Sequence, residues 1–195
     1  MREDNSPTPP GAAQTTTEME RTMEKDLPLH EGFTVDNGGV VLLWPFLERY
    51  FSLLGLQQNG VFLSDSHKWR AVHLLRYLSH GSMEAPEHAL LLNKILCGLD
   101  SAAPPEPGGP LTEQERTVSS QLLGAVTQNW SKLKNTDAEG LRSAFLRRDA
   151  HLVREEHHWG LLVRGGPFDV LLPSLPWELG TIRLSWMERI IKVRW

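Results

Sequence analysis

Pro86-Glu87-His88-Ala89-Leu90-Leu91-Leu92-Asn93-Lys94-Ile95-Leu96-Cys97-Gly98 is the stretch on which the fold reading turns. Pro86 suits the first turn of a helix, where a missing N–H costs nothing, and Gly98 suits its end. Between them apolar side chains fall on nearly every side, so this helix belongs at the centre of a bundle. Asn93-Lys94 interrupts the apolar run. The reading is that Asn93 satisfies backbone groups of a neighbouring loop while Lys94 snorkels out of the bundle on its apolar stem. A recognition contact is the alternative for both.

Working outward, the flanking segments supply its partners. Val35-Asp36-Asn37-Gly38-Gly39 reads as a turn, and Val40–Leu54 as an apolar helix in which Pro45 marks either a kink or a new first turn. Gly55 and the Gln57-Gln58-Asn59-Gly60 group close that helix. Ser64 or Asp65 caps the next, where Trp69, Val72, Leu75 and Leu78 recur every three residues until Gly81. Downstream, Ser101–Pro110 (SAAPPEPGGP) is a breaker-rich loop. Thr112-x-x-Glu115 is a capping box opening a helix with Val118, Leu122 and Val126 on its buried face. A second box, Thr136-x-x-Glu139, opens a shorter helix through Leu141, Phe145 and Leu146.

After Asp149 the period changes from helical to alternating. Leu152–Arg154, Trp159–Val163, Phe168–Leu172, Thr181–Leu184 and Ile190–Trp195 read as short strands between Pro- and Gly-bearing turns. The predicted fold is α+β: a bundle of about five helices over 38–148, then a small, mainly antiparallel sheet over 149–195. Residues 33–195 are read as one domain. Residues 1–32 are acidic, rich in Pro and Thr and without apolar periodicity, which predicts a disordered tail. Glu18–Lys25, with Met19 and Met23 one turn apart, is too short for a helix stable alone.

Composition excludes several classes of function. The net charge of −4 and pI near 6.1 argue against nucleic-acid binding, which calls for a basic face. Cys97 is the only cysteine, so no internal disulfide can form. No signal-peptide core is present, and the longest apolar run, Val40–Phe46, is far below a membrane span. A cytoplasmic chain without membrane insertion is expected.

The eight histidines invite a metal reading. His73 and His80 lie nearly two helical turns apart, too far to share a metal, and the adjacent His157 and His158 face opposite ways on a strand. Ser64-Asp65-Ser66-His67 holds the residue types of a hydrolase triad but reads as a cap and first turn. Glu155-Glu156 beside His157 reads as a solvated strand edge. Neither G-x-S-x-G, a P-loop nor G-x-G-x-x-G occurs. No catalytic, cofactor or metal residue is assigned. Of the tryptophans, Trp44, Trp69 and Trp130 read as core, while Trp177, Trp186 and Trp195 form either core or an aromatic binding surface.

Taken in order, several segments resemble the tape measure protein family of contractile injection systems, which are phage-tail-like particles. They are Leu42–Leu47 (LLWPFL), Ala71–Gly81 (AVHLLRYLSHG), Pro86–Gly98, Asn129–Thr136 (NWSKLKNT), Gly140–Leu146 (GLRSAFL), Pro167–Leu172 (PFDVLL), Leu175-Pro176-Trp177 and Ile182–Met187 (IRLSWM). The resemblance spans about residues 35–195. It departs at Ser185, where the family pattern leads one to expect proline.

The resemblance implies a bacterial structural or assembly protein, not an enzyme, that controls or initiates inner-tube assembly without a cofactor. Its implied partners are tube, baseplate or spike proteins, with self-association a further option. It would be cytoplasmic during assembly and then lie inside the particle. The motif residues marked as candidate contacts are Pro86, Glu87, His88, Asn93, Lys94, Asn135, Phe168, Asp169, Trp177, Trp186 and Trp195. A head of roughly 34 residues reaches at most about 110 Å extended. That is short for a ruler, which keeps open an adaptor or chaperone of another particle component, or a small payload carried in the tube.

Overall fold

The first described residues form a strand, not a helix. The computed structural model describes residues 32–195, and β1 (Gly32–Val35) opens them by pairing antiparallel with β4 (Ala150–Arg154), more than a hundred residues downstream. The tail expected over residues 1–32 gives up Gly32 to β1; the rest of it, with the short helix at Glu18–Lys25, lies outside the described residues.

A 3-10 turn (Gly38–Leu43) leads into α1 (Trp44–Leu53), with Pro45 in the first turn where its missing N–H is harmless. Gln57–Gly60 does more than close this helix. β2 (Gln57–Gln58) and β3 (Val61–Phe62) pair across Asn59-Gly60, whose φ angles of 52° and 76° are those of a tight hairpin turn. α2 (Asp65–His80) begins at the Ser64 cap and ends at Gly81, left-handed at φ 76°.

The Pro86–Gly98 stretch is a 3-10 turn (Glu87–Leu90) running into α3 (Leu91–Leu96). Leu92 and Leu96 have no exposed surface, and neither have Leu74, Leu75 and Leu78 on α2. Truncating any of these leucines to alanine is expected to cost about 2–5 kcal/mol. α4 (Glu113–Asn129) starts at the Thr112–Glu115 capping box, with both reciprocal bonds formed. The second expected box is displaced by one residue: Asp137, not Thr136, caps α5 (Ala138–Leu141) by accepting from the Gly140 N–H. α5 then widens into a π turn over Arg142–Leu146.

The main sheet has the order β1-β4-β5-β7-β6, with β5 (His158–Val163), β6 (Thr181–Ile182) and β7 (Ile190–Arg194). All neighbours are antiparallel except β5 and β7. The α+β class and the mostly antiparallel sheet are as expected, but a strand from the front of the chain completes the sheet.

Phe168–Leu172 is not a strand. A 3-10 turn occupies Asp169–Ser174, with the Asp169 carboxylate accepting from the Gly166 N–H at 2.7 Å. Pro173 lies inside it and has no N–H for a ladder. Apolar content had suggested a strand, and turn chemistry overrides it.

One sheet face packs on the helices. Val35, Ala150, Leu152, Trp159, Leu161, Val163, Ile182, Ile191 and Val193 are buried in the same core as the helical leucines. Trp130 and Phe145 anchor the far side, ring centroids 4.8 Å apart, with the Trp130 indole donating to Ser174 Oγ at 2.8 Å. The opposite face, with Thr34, His151, Leu162, Lys192 and Arg194, is exposed.

Candidate functional site

The helix containing Asn93 and Lys94 is central, and both polar residues are spent inside it. Asn93 is fully buried; its amide donates to the Val72 carbonyl of α2 at 3.1 Å and its oxygen accepts from Asn37 at 2.8 Å. The carbonyl it serves belongs to a helix, not to the loop expected. Asn37 in turn sits beside Asp36, which receives Arg76 at 2.6 Å and lies 3.5 Å from His80. Burial, with Arg76 adding to it, holds His80 below the usual imidazole range despite Asp36. The Asp36-Asn37 pair, read from sequence only as part of a turn, thus ties β1 to α2 and α3.

Lys94 does not snorkel. Its side chain is 3% exposed, and its ammonium donates to Glu87 at 3.0 Å and to the Ala103 carbonyl at 3.1 Å, 5.1 Å from the Trp69 ring centroid. Glu87 is half in water, so the two ends of this ion pair are unequal. Glu87→Ala strands a buried cation and is expected to cost about 3 kcal/mol. Lys94→Met removes the charge with its desolvation cost and should cost less, as urea unfolding of both variants would reveal.

A second polar assembly holds the Ser101–Pro110 loop. Arg70 of α2 donates to both Glu115 carboxylate oxygens and to the Gly108 and Pro110 carbonyls. His73 contributes its Nε2–H to the Glu106 carbonyl at 2.8 Å. Burial alone would raise the Glu115 carboxyl, but the Arg70 hydrogen bonds and the Thr112 donors outweigh it and hold it below the usual carboxylate range. The breaker-rich loop is therefore pinned by α2. Sequence reasoning found Glu115 as a cap but missed Arg70, because nothing local links them.

The remaining motif residues do not converge on one site. Pro86 and His88 are exposed around the 3-10 turn, and Asn135 is exposed before α5. Phe168 stands 51% exposed with its ring 6.5 Å from Phe145, while Asp169 is paired with Arg148 at 3.2 Å. Trp186 is structural: its indole donates to the Leu96 carbonyl at 2.8 Å and its ring packs on Phe51 and Phe62. Trp177 and Trp195 are half-buried and line a cavity of about 270 Å³ with Leu172, Leu175 and Val193. Phe46 meets Trp177 edge-on at 5.2 Å. Of the three tryptophans read as core, Trp69 and Trp130 are buried; Trp44 is half-buried, with its indole N–H on the Glu178 carbonyl at 2.8 Å.

Among the described residues, no group of three or more His, Cys, Asp or Glu could hold a metal. Cys97 is buried, and burial pushes its thiol up. No described helix is long and apolar enough to cross a membrane. The perturbed groups serve packing: burial likewise raises Tyr50, whose hydroxyl meets Ser119 Oγ at 2.7 Å. What is built, then, is a scaffold whose polar side chains fasten loops to a bundle.

The family model for the contractile injection system tape measure protein matches residues 2–195. The chain belongs to the contractile injection system tape measure protein family. The match takes in residues 2–34, which the motif resemblance had left out. No curated protein and no solved structure matches the chain.

Proposed function

We propose that this tape measure family member is a non-enzymatic assembly component that controls or initiates inner-tube assembly. In this reading residues 33–195 act as one domain that docks on tube, baseplate or spike protein. The chain acts in the cytoplasm during assembly and ends inside the particle. The observation that carries the proposal is the family match along almost the whole chain. The polar chemistry of the interior supports it: Arg70, His73, Lys94, Asn93 and Glu115 are engaged in holding loops and helices. Contacts then fall to exposed motif residues such as Pro86, His88, Asn135 and Phe168.

Electron microscopy of particles from cells lacking the chain tests this reading. Absent particles, or tubes of uncontrolled length, are expected; normal particles of normal length would overturn it. Removing residues 1–30 probes the mechanism further: an initiator or ruler loses length control, whereas an adaptor keeps its partner. The adaptor reading draws specific support from the cavity lined by Trp177 and Trp195.

A further inference from the structure

Antiparallel sheets commonly bury one face and leave the other to water, and the solvated face normally mixes both signs of charge. The solvated face here does not. Across all five strands of the main sheet there is no Asp or Glu, although acids outnumber Lys and Arg in the chain, 24 to 20. The outward-facing positions of the strands instead carry His151, His158, Lys192 and Arg194, while Arg154 shares the core-facing row of Trp159 and Ile191.

Register places these residues. Thr34, His151, Leu162 and Arg194 lie in one row across β1, β4, β5 and β7. Gly32, Val153, Gly160, Lys192 and Thr181 form the row beside it. Their inward neighbours, Leu152, Leu161 and Val193, are core, so both rows face away from the helices. Lys192 and Arg194 make no ion pair or side-chain hydrogen bond among the described residues, in contrast to Arg70, Arg76, Arg147 and Arg148. Leu162, 41% exposed, stands between His151 and Arg194 in its row, and Gly160, two residues away on the same face, carries no side chain.

We propose that this outer face is a docking surface for an acidic, amphipathic segment of another particle protein. Carboxylates of the segment pair with Lys192 and Arg194, and an apolar side chain covers Leu162 beside Gly160. Charge complementarity selects the occupant: a single-sign cationic face, unpaired among the described residues, favours an acidic partner and repels a basic one. Leu162 at the middle of the face favours protein over nucleic acid, since among the described residues this face carries no exposed Phe, Tyr or Trp ring for stacking bases. The proposal rests on the assembly reading for the identity of the partner as a particle component.

The test places a photo-crosslinking amino acid at Leu162 in the full chain, in cells producing particles, and maps the adduct by mass spectrometry. The expected adduct is a particle protein, joined at a segment in which Asp or Glu flanks an apolar residue. Lys192→Glu with Arg194→Glu should lower the yield at least about tenfold, because like charges then face each other. If that pair destabilises the fold, Lys192→Gln with Arg194→Gln should still lower the yield. An adduct to a non-acidic segment, to nucleic acid or to a second copy, no adduct, or a yield indifferent to both variants would overturn the proposal. Particle microscopy on the deletion strain separates the failures. A missing adduct beside particle loss sinks only the surface, and normal particles without the chain sink the assembly reading.

Discussion

Glu115→Ala is expected to lower the unfolding free energy by about 4 kcal/mol, of which about 1 is the lost helix cap. The remaining roughly 3 kcal/mol comes from leaving Arg70, whose side chain is 19% exposed, without its carboxylate. Both contributions meet in one residue because Glu115 caps Thr112 through its backbone N–H and hydroxyl while receiving the Arg70 fork. The loop from Ser101 to Pro110 should loosen with it, since Arg70 also holds the Gly108 and Pro110 carbonyls. Glu115→Gln, which can keep the cap but not the charge, should fall between wild type and Glu115→Ala.

The same residue fixes a pH dependence. Its carboxyl is depressed in the folded chain, so the unfolded chain binds the proton more readily, and stability rises with pH through that window. The contribution is complete above the ordinary glutamate range, near about 4.3, and is lost as pH falls through the depressed folded value. Urea midpoints measured downward from pH 6 should fall more steeply for wild type than for Glu115→Gln. Parallel curves would show that the Arg70 pair adds nothing.

Gly39→Ala is expected to cost about 3 kcal/mol or more. A Cβ at Gly39 would fall inside the contact radius of the Phe145 carbonyl oxygen and crowd Leu146 Cα, and both obstacles are backbone. No side chain can swing aside, so either the 3-10 turn over Gly38–Leu43 or the π turn must shift, which is the expensive form of overpacking. Gly124→Ala provides the opposite control. It lies within α4 with nothing within 4 Å of an added Cβ, so helix propensity alone should stabilise by up to about 1 kcal/mol. A midpoint shift at constant denaturant slope would show that both substitutions change stability without altering the surface exposed on unfolding. If the two alanines behave alike, close backbone approach is not what requires glycine at position 39.

Gly39 also marks where local reading stops. Its neighbours predicted a turn, correctly placed, but gave no sign that the turn is wedged against a segment a hundred residues later. The caps at Ser64 and Thr112 were legible because each is a bond between residues three apart. The strand reading of Phe168–Leu172 failed because apolar content says only that side chains can be buried. The Asp169 bond to the Gly166 N–H and Pro173 decide how the backbone runs. Lys94 was misplaced for a related reason. A lysine on an apolar helix snorkels unless acceptors meet it inside, and Glu87, Ala103 and Trp69 come from three separate places.

The sequence by itself determined the α+β class, the centrality of the Pro86–Gly98 helix, most element boundaries and, through ordered motifs, the family. Periodicity and capping are properties of neighbouring residues, so they survive without a fold. Only the tertiary structure decided that β1 completes the sheet, that Arg70 and Asn93 are fasteners, and that Lys192 and Arg194 of β7 share one open face with His151 and Leu162 of other strands. Each depends on pairing between segments distant in sequence, where the free energy comes from burial and cross-strand register that no local window contains.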